Sequence, residues 1–158
     1  MLHIVPESWL TWNFDVLEDD RQITSIKTAL LPESGSFSID GSSFRAYREG
    51  MISGKFLLEG ESGTIASAEK PSAFLNSFNV EYSDKRYRLK KESLIGRSFV
   101  LLQGDLEVGS IRPESFLSRK AALSLPADLP MPVQVFMMWL VILLWRREAN
   151  SQSAATQV

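Results

Sequence analysis

Apolar and polar residues alternate in short runs along most of this chain, and near its end the alternation stops. Val135 to Trp145 is an unbroken apolar run, VFMMWLVILLW, closed by Arg146-Arg147-Glu148. From Leu129 to Trp145 the single polar side chain is Gln134. Alternation marks half-buried strands, whereas a helix that is apolar on every side must be wrapped by protein or by lipid. The pattern therefore predicts a mainly β chain with one helix, about residues 132–147. Pro132 suits its first turn, and Pro126 and Pro130 make the preceding segment an extended lead-in. Residues 115–123 are a second, shorter helical candidate.

The strand region repeats itself. Phe14, Val16, Ile23 and Ser25 have the spacing of Phe56, Leu58, Ile65 and Ser67, and of Phe99, Leu101, Val108 and Ser110. At a constant offset of 43, residues 44–70 align without gaps on 87–113, pairing Arg45 with Arg88, Glu49 with Glu92, Ile52 with Ile95, Phe56 with Phe99 and Ser67 with Ser110. Such internal similarity indicates a repeated strand unit. Each long unit holds two hairpins. The first is residues 37–39 with 44–48, turning at Asp40-Gly41, and its copy is 78–80 with 87–91, turning at Ser83-Asp84. The second hairpins are 51–58 with 64–69, and 94–102 with 107–112. With the hairpin of residues 12–27, the count reaches about ten strands. An antiparallel meander of ten to twelve strands protects its edges by closing into a barrel or folding into a sandwich.

The final helix decides between those solutions. A membrane span needs roughly 20 apolar residues. Val133 to Trp145 supplies 13, roughly 20 Å at the helical rise. That length favours a buried core helix, and a barrel of this size needs filling. The expectation is an antiparallel barrel, one domain over residues 1–148, around a central apolar helix, with 149–158 as a disordered polar tail. The alternative is a small membrane-anchored protein whose helix inserts in lipid beneath a cytosolic β-domain, since Trp145-Arg146-Arg147 imitates a membrane boundary.

Composition narrows the chemistry. A net charge of -2 argues against nucleic-acid binding, and the absence of cysteine removes disulfides, thiolate catalysis and cysteine metal sites. The one histidine, His3, falls in an N-terminus expected to be mobile. The opening residues show no secretory pattern, so cytoplasmic residence, peripheral to the inner face of a membrane if lipid is bound, is the default expectation.

A barrel of internally duplicated strand units threaded by a hydrophobic C-terminal helix resembles the tubby C-terminal-like superfamily, which includes tubby domains, phospholipid scramblases and LURP-one-related proteins. The resemblance is carried by Phe56…Ile65-Ala-Ser67, Phe99…Val108-Gly-Ser110 and the closing LPADLPMPVQVFMMWLVILLWRRE. It covers residues 9–148 and is architectural. It implies a twelve-stranded barrel and a tendency towards lipid, since tubby domains bind phosphoinositides and scramblases are associated with phospholipid movement and calcium. Here no acidic calcium-binding segment lies beside the final helix, and there is no cysteine cluster to palmitoylate.

The candidate binding residues lie in Lys85-Arg-Tyr-Arg-Leu-Lys-Lys91, with five positive charges in seven residues. On a strand, Arg86, Arg88 and Lys90 project from one face and could engage phosphates, with Arg45 and Arg48 of the first repeat adding to them. Glu18-Asp19-Asp20 lacks the alternate spacing of a calcium loop and reads as a charged hairpin turn. Glu49 and Glu92 are expected to serve structure, and Ser25, Ser67 and Ser110 to satisfy backbone groups at strand ends. The glycines beside the hairpins supply turn geometry. No catalytic residue, metal ligand or cofactor is expected. The sequence thus reads as a non-enzymatic binding or tethering module for anionic phospholipid headgroups.

Overall fold

The computed structural model describes residues 1–155. Twelve antiparallel strands run in sequence order around a closed barrel. They are β1 (Leu2–Pro6), β2 (Phe14–Glu18), β3 (Arg21–Leu30), β4 (Glu33–Ile39), β5 (Ser42–Arg48) and β6 (Lys55–Gly60). Then follow β7 (Gly63–Glu69), β8 (Ser77–Tyr82), β9 (Lys85–Lys91), β10 (Phe99–Gln103), β11 (Leu106–Pro113) and β12 (Ala121–Ser124). The ring closes where β12 pairs with β1, Leu2 opposite Leu123 and Ile4 opposite Ala121. Closure leaves no strand edge to attract another chain. Through the barrel runs α1 (Met131–Ala155), whose residues Val133 to Trp145 are all buried.

The repeat is geometric as well as textual. Phe14 and Phe99 open β2 and β10, Phe56 is the second residue of β6, and all three are fully buried. Each of these strands then carries a register shift after the second inward residue, at Val16/Leu17, Leu58/Glu59 and Leu101/Leu102. A bulge bends its strand and increases local twist, so three equivalent bulges help a single sheet curl shut. The barrel therefore comprises three four-stranded units, β2–β5, β6–β9 and β10–β12 completed by β1 from the other end of the chain.

Strand alternation sends one residue in two inward, and the helix meets them. Phe56 packs edge-on against Phe78 (centroids 5.5 Å apart) and Trp139 (5.9 Å). Gly35 of β4 makes room for the same indole, because a Cβ there would lie 2.7 Å from Trp139 Cδ1. The helix is wrapped by protein, and among the described residues no helix is long and apolar enough to cross a membrane.

Several sequence expectations are corrected. His3 lies in β1, a wall strand between β2 and β12, because Leu2 and Ile4 point into the core. Residues 115–120 form a loop and 121–124 a strand, where alternating Ala121 and Leu123 fill the barrel. β6 and β10 start at Lys55 and Phe99, so Met51, Ile52, Leu94 and Ile95 stand outside the strands. The helix continues past residue 147 to Ala155, and 149–155 are helical where a disordered tail was expected. With no proline or glycine after Arg147 to stop it, the helix continues into solvent. Residues 156–158 of that expected tail lie outside the described residues.

Candidate functional site

A meander places alternate connections at opposite ends of its barrel, which gives two rims to compare. One rim consists of two-residue turns, Asp19-Asp20, Asp40-Gly41, Glu61-Ser62, Ser83-Asp84 and Gly104-Asp105, plus residues 125–130 leading into the helix. Positive φ at Asp19, Asp20, Asp40 and Gly41 marks the mirror-image turns whose twist matches paired strands. Glu18-Asp19-Asp20 is thus a hairpin turn. The connections at this rim carry seven acids, counting Asp128, and no lysine or arginine.

The opposite rim, where the helix leaves the barrel, is built differently. Its connections span residues 7–13, 31–32, 49–54, 70–76, 92–98 and 114–120. Each of these turns and loops, counting Leu30 at the end of β3, presents two adjacent exposed apolar side chains at the rim: Trp9-Leu10, Leu30-Leu31, Met51-Ile52, Phe74-Leu75, Leu94-Ile95 and Phe116-Leu117. Twelve of the fourteen exposed large apolar residues among the described ones belong to this crown. Contiguous exposed apolar surface on a folded domain marks an interaction site.

Four of the loops share one construction. Glu7, Glu49, Glu92 and Glu114 each donate a backbone N–H to the carbonyl six residues on, at 2.8–3.0 Å, and the doublet follows at the second and third positions. The motif is Glu, then Ser or Gly, then two large apolar residues. Within the loops, short serine bonds hold the turn, as where Leu10 N donates to Ser8 Oγ at 3.0 Å. The loop backbone is closed on itself, and the doublet is left outside. Glu49 and Glu92, aligned in the repeat, close equivalent loops through their backbone N–H groups.

Charge at the crown is arranged in two sets. Its carboxylates are mostly neutralised by bases: Glu7 by Lys27, Glu49 by Lys55 at 3.6 Å, Glu92 by Arg112 at 2.8 Å and Glu148 by Lys91. Glu33 receives Arg147 from the helix in a bidentate pair at 2.6 and 3.0 Å, with Arg48 at 3.3 Å. A second set, Lys70, Arg97, Arg119, Lys120 and Arg146, has no carboxylate within 4 Å among the described residues. Burial and then the neighbouring Arg147 lower the Lys70 pKa, and its ammonium donates to the carbonyls of Ser72 (2.7 Å) and Ala73 (3.0 Å), steadying the Phe74 loop. The crown is thus apolar at its tips and positive beneath them.

The stripe anticipated from the sequence lies elsewhere. Arg86 and Arg88 project outward from β9 with Tyr87 and Leu89 buried behind them, and Lys90 is half-buried on the same outer face. They lie along the barrel wall, where Arg86 pairs with Glu81 at 3.2 Å and Asp105 lines the same shallow cleft. Arg45 lies over the Tyr47 ring on another strand, and Arg48 points to the crown mouth, so neither joins the stripe. Ser25 donates to Asp15 Oδ1 at 2.5 Å, and Ser110 accepts from Arg112 Nη1 at 2.7 Å. Two of the recurrent serines therefore bind side chains where backbone partners were expected. The crown motif was present in the sequence as EGMIS, ESLIG and ESFLS; reading its apolar doublets as strand or helix starts concealed it. No family model matches the chain, and no curated protein or solved structure matches it.

Proposed function

We propose that this protein is a non-enzymatic tethering module that docks crown-first on an anionic phospholipid surface. The observation that carries the reading is the repeated doublet: six connections at one rim each expose two large apolar side chains, and none at the other rim does so. Fully burying one such side chain gains roughly 1.5–3 kcal/mol, and a shallow ring of them suits the headgroup–acyl boundary. Unpaired bases beneath the tips add roughly 1 kcal/mol each beside an anionic leaflet. The acidic far rim orients the molecule, since an anionic surface repels it. The tubby-like resemblance, with its tendency towards lipid, points the same way. In this pose the stripe of Arg86, Arg88 and Lys90 contributes through its field from the side wall.

The test is co-sedimentation with vesicles of phosphatidylcholine and phosphatidylserine, alongside a variant with the doublets of the four glutamate loops replaced by serine pairs. Wild type should bind, more weakly as salt rises, with a blue shift from exposed Trp9. The variant should melt normally and lose binding by at least about a hundredfold, the equivalent of two fully buried side chains. Wild type that ignores the vesicles at low and physiological salt, or a variant that binds equally, would overturn the reading.

A further inference from the structure

Within the crown, one cleft of about 450 Å³ lies between the loops 92–98 and 114–120 and the emerging helix. Its walls combine two doublets, Leu94-Ile95 and Phe116-Leu117, with the guanidiniums of Arg97 and Arg119. Each arginine is fixed from behind. Arg97 lies 5.1 Å over the Trp145 ring and donates to Ser118 O, while the Trp145 indole N–H donates to Arg97 O at 3.0 Å. Arg119 lies 5.0 Å over Trp12 and donates to Thr11 O and Ser8 O, each at 2.6 Å. A guanidinium has five N–H donors, so these bonds position both groups and leave donors for a ligand. Burial lowers both arginine pKa values, with Glu148 partly countering it at Arg97. Lys91 and Glu148 also line the cleft and pair with each other, so neither guanidinium has a carboxylate partner within 4 Å among the described residues.

We propose that this cleft binds one anionic phospholipid molecule, its phosphate held between Arg97 and Arg119 and its acyl chains lying along the two doublets. Arginine's planar fork matches phosphate oxygens, and stacking on indoles holds it without satisfying its charge. A carboxylate partner would have cancelled the site. Instead, carbonyl oxygens and rings orient both cations and leave their charge for a ligand. The proposal deepens the docking reading by assigning a stoichiometric headgroup site to a surface otherwise held by nonspecific insertion.

The experiment uses the full chain with a short-chain, monomeric phosphatidate, inorganic phosphate, and vesicles containing phosphatidate or phosphatidylserine at equal charge. The expected result is saturable one-to-one binding of the short-chain lipid, with altered tryptophan emission from Trp12 and Trp145 beside the guanidiniums. Arg97→Gln with Arg119→Gln should weaken it roughly ten- to a hundredfold, the effect of losing charge-assisted bonds. Arg97→Lys with Arg119→Lys keeps charge without the fork and should fall between, and melting curves identify any variant that fails to fold. Vesicle binding without saturable short-chain binding would overturn the cleft and leave docking intact. Saturable binding without vesicle binding would keep the cleft and overturn docking. Inorganic phosphate binding as tightly as the lipid would make this a free-anion site and overturn the acyl assignment.

Discussion

The two rims are made from the same twelve strands and share almost nothing else. At one, two-residue turns reverse the chain as tightly as geometry allows, and their only charged residues are acids. At the other, most connections are loops three times as long, closed by a glutamate N–H and tipped with apolar pairs. Strand pairing cannot explain the difference, because a two-residue turn would close any of these hairpins. Nor does the core require the longer loops, since their apolar residues lie outside it. Exposed apolar pairs crowd one end, whereas the other exposes only single residues, Met1 and Leu106, and this asymmetry is what the docking proposal rests on.

That comparison presumes a rigid wall under both rims, and the largest expected effect tests it. A chain ending at Pro130 loses the helix and with it the thirteen buried residues from Val133 to Trp145. At roughly 1.5–3 kcal/mol for each large side chain, this exceeds the total stability of a domain. Circular dichroism should show no cooperative melting. A truncated chain that melts near the full-length temperature would mean that the wall stands unfilled.

Next in size is the contrast between inward and outward members of one repeat. Phe56→Ala and Phe99→Ala should each cost about 3–5 kcal/mol in denaturant unfolding, because both rings are fully buried. Met51→Ser and Leu94→Ser, a few residues upstream and wholly exposed, should stay within about 0.5 kcal/mol. Equal losses in the two sets would give the crown a structural job and remove the reason for assigning it an external one.

A smaller effect separates rim from side wall. Reversing Arg86, Arg88 and Lys90 to glutamate should weaken vesicle binding by less than about tenfold, because these groups act across a screened distance. Replacing the crown doublets should weaken it far more. If the order is inverted at physiological salt, the molecule lies on its side, and the stripe is the primary surface.

How much of this was readable in the chain follows from which signals are periodic. Alternation gave the hairpin turns at Asp40-Gly41 and Ser83-Asp84, and the unbroken apolar run gave a buried helix, because burial imposes its period directly on sequence. Ring closure depended on the pairing of β1 with β12, strands at opposite ends of the chain whose few residues carry too little pattern. The crown failed for a different reason. Met51-Ile52 adjoins Phe56, and an apolar residue next to a strand reads as more strand. Only the recurrence of Glu-Ser-apolar-apolar at Glu7, Glu92 and Glu114, with glycine for serine after Glu49, distinguishes a loop tip from a strand start. At Arg97 and Arg119 no local pattern could reveal the cleft, because the fold brings their loops together with the helix end.

The smallest expected effect lies at the acidic rim, where Asp128 is the one connecting acid with an ion-pair partner, Lys85, among the described residues. The hydrogen bond from Lys85 lowers the Asp128 pKa, and the same bond raises that of Lys85. Between its folded and unfolded values Asp128 binds more protons in the unfolded chain, so its contribution is complete above the ordinary carboxylate range and is lost as pH falls through the lowered value. The Lys85 contribution runs oppositely, present below the ordinary ammonium value and lost as pH rises through the raised one. Both groups are exposed, so solvent and salt screen the pair. Wild type and Asp128→Asn should therefore differ slightly in melting temperature at neutral pH and converge in acid. Their vesicle binding should be the same throughout. A loss of binding in Asp128→Asn would show that the two rims are coupled, and that the far turns do more than close the wall.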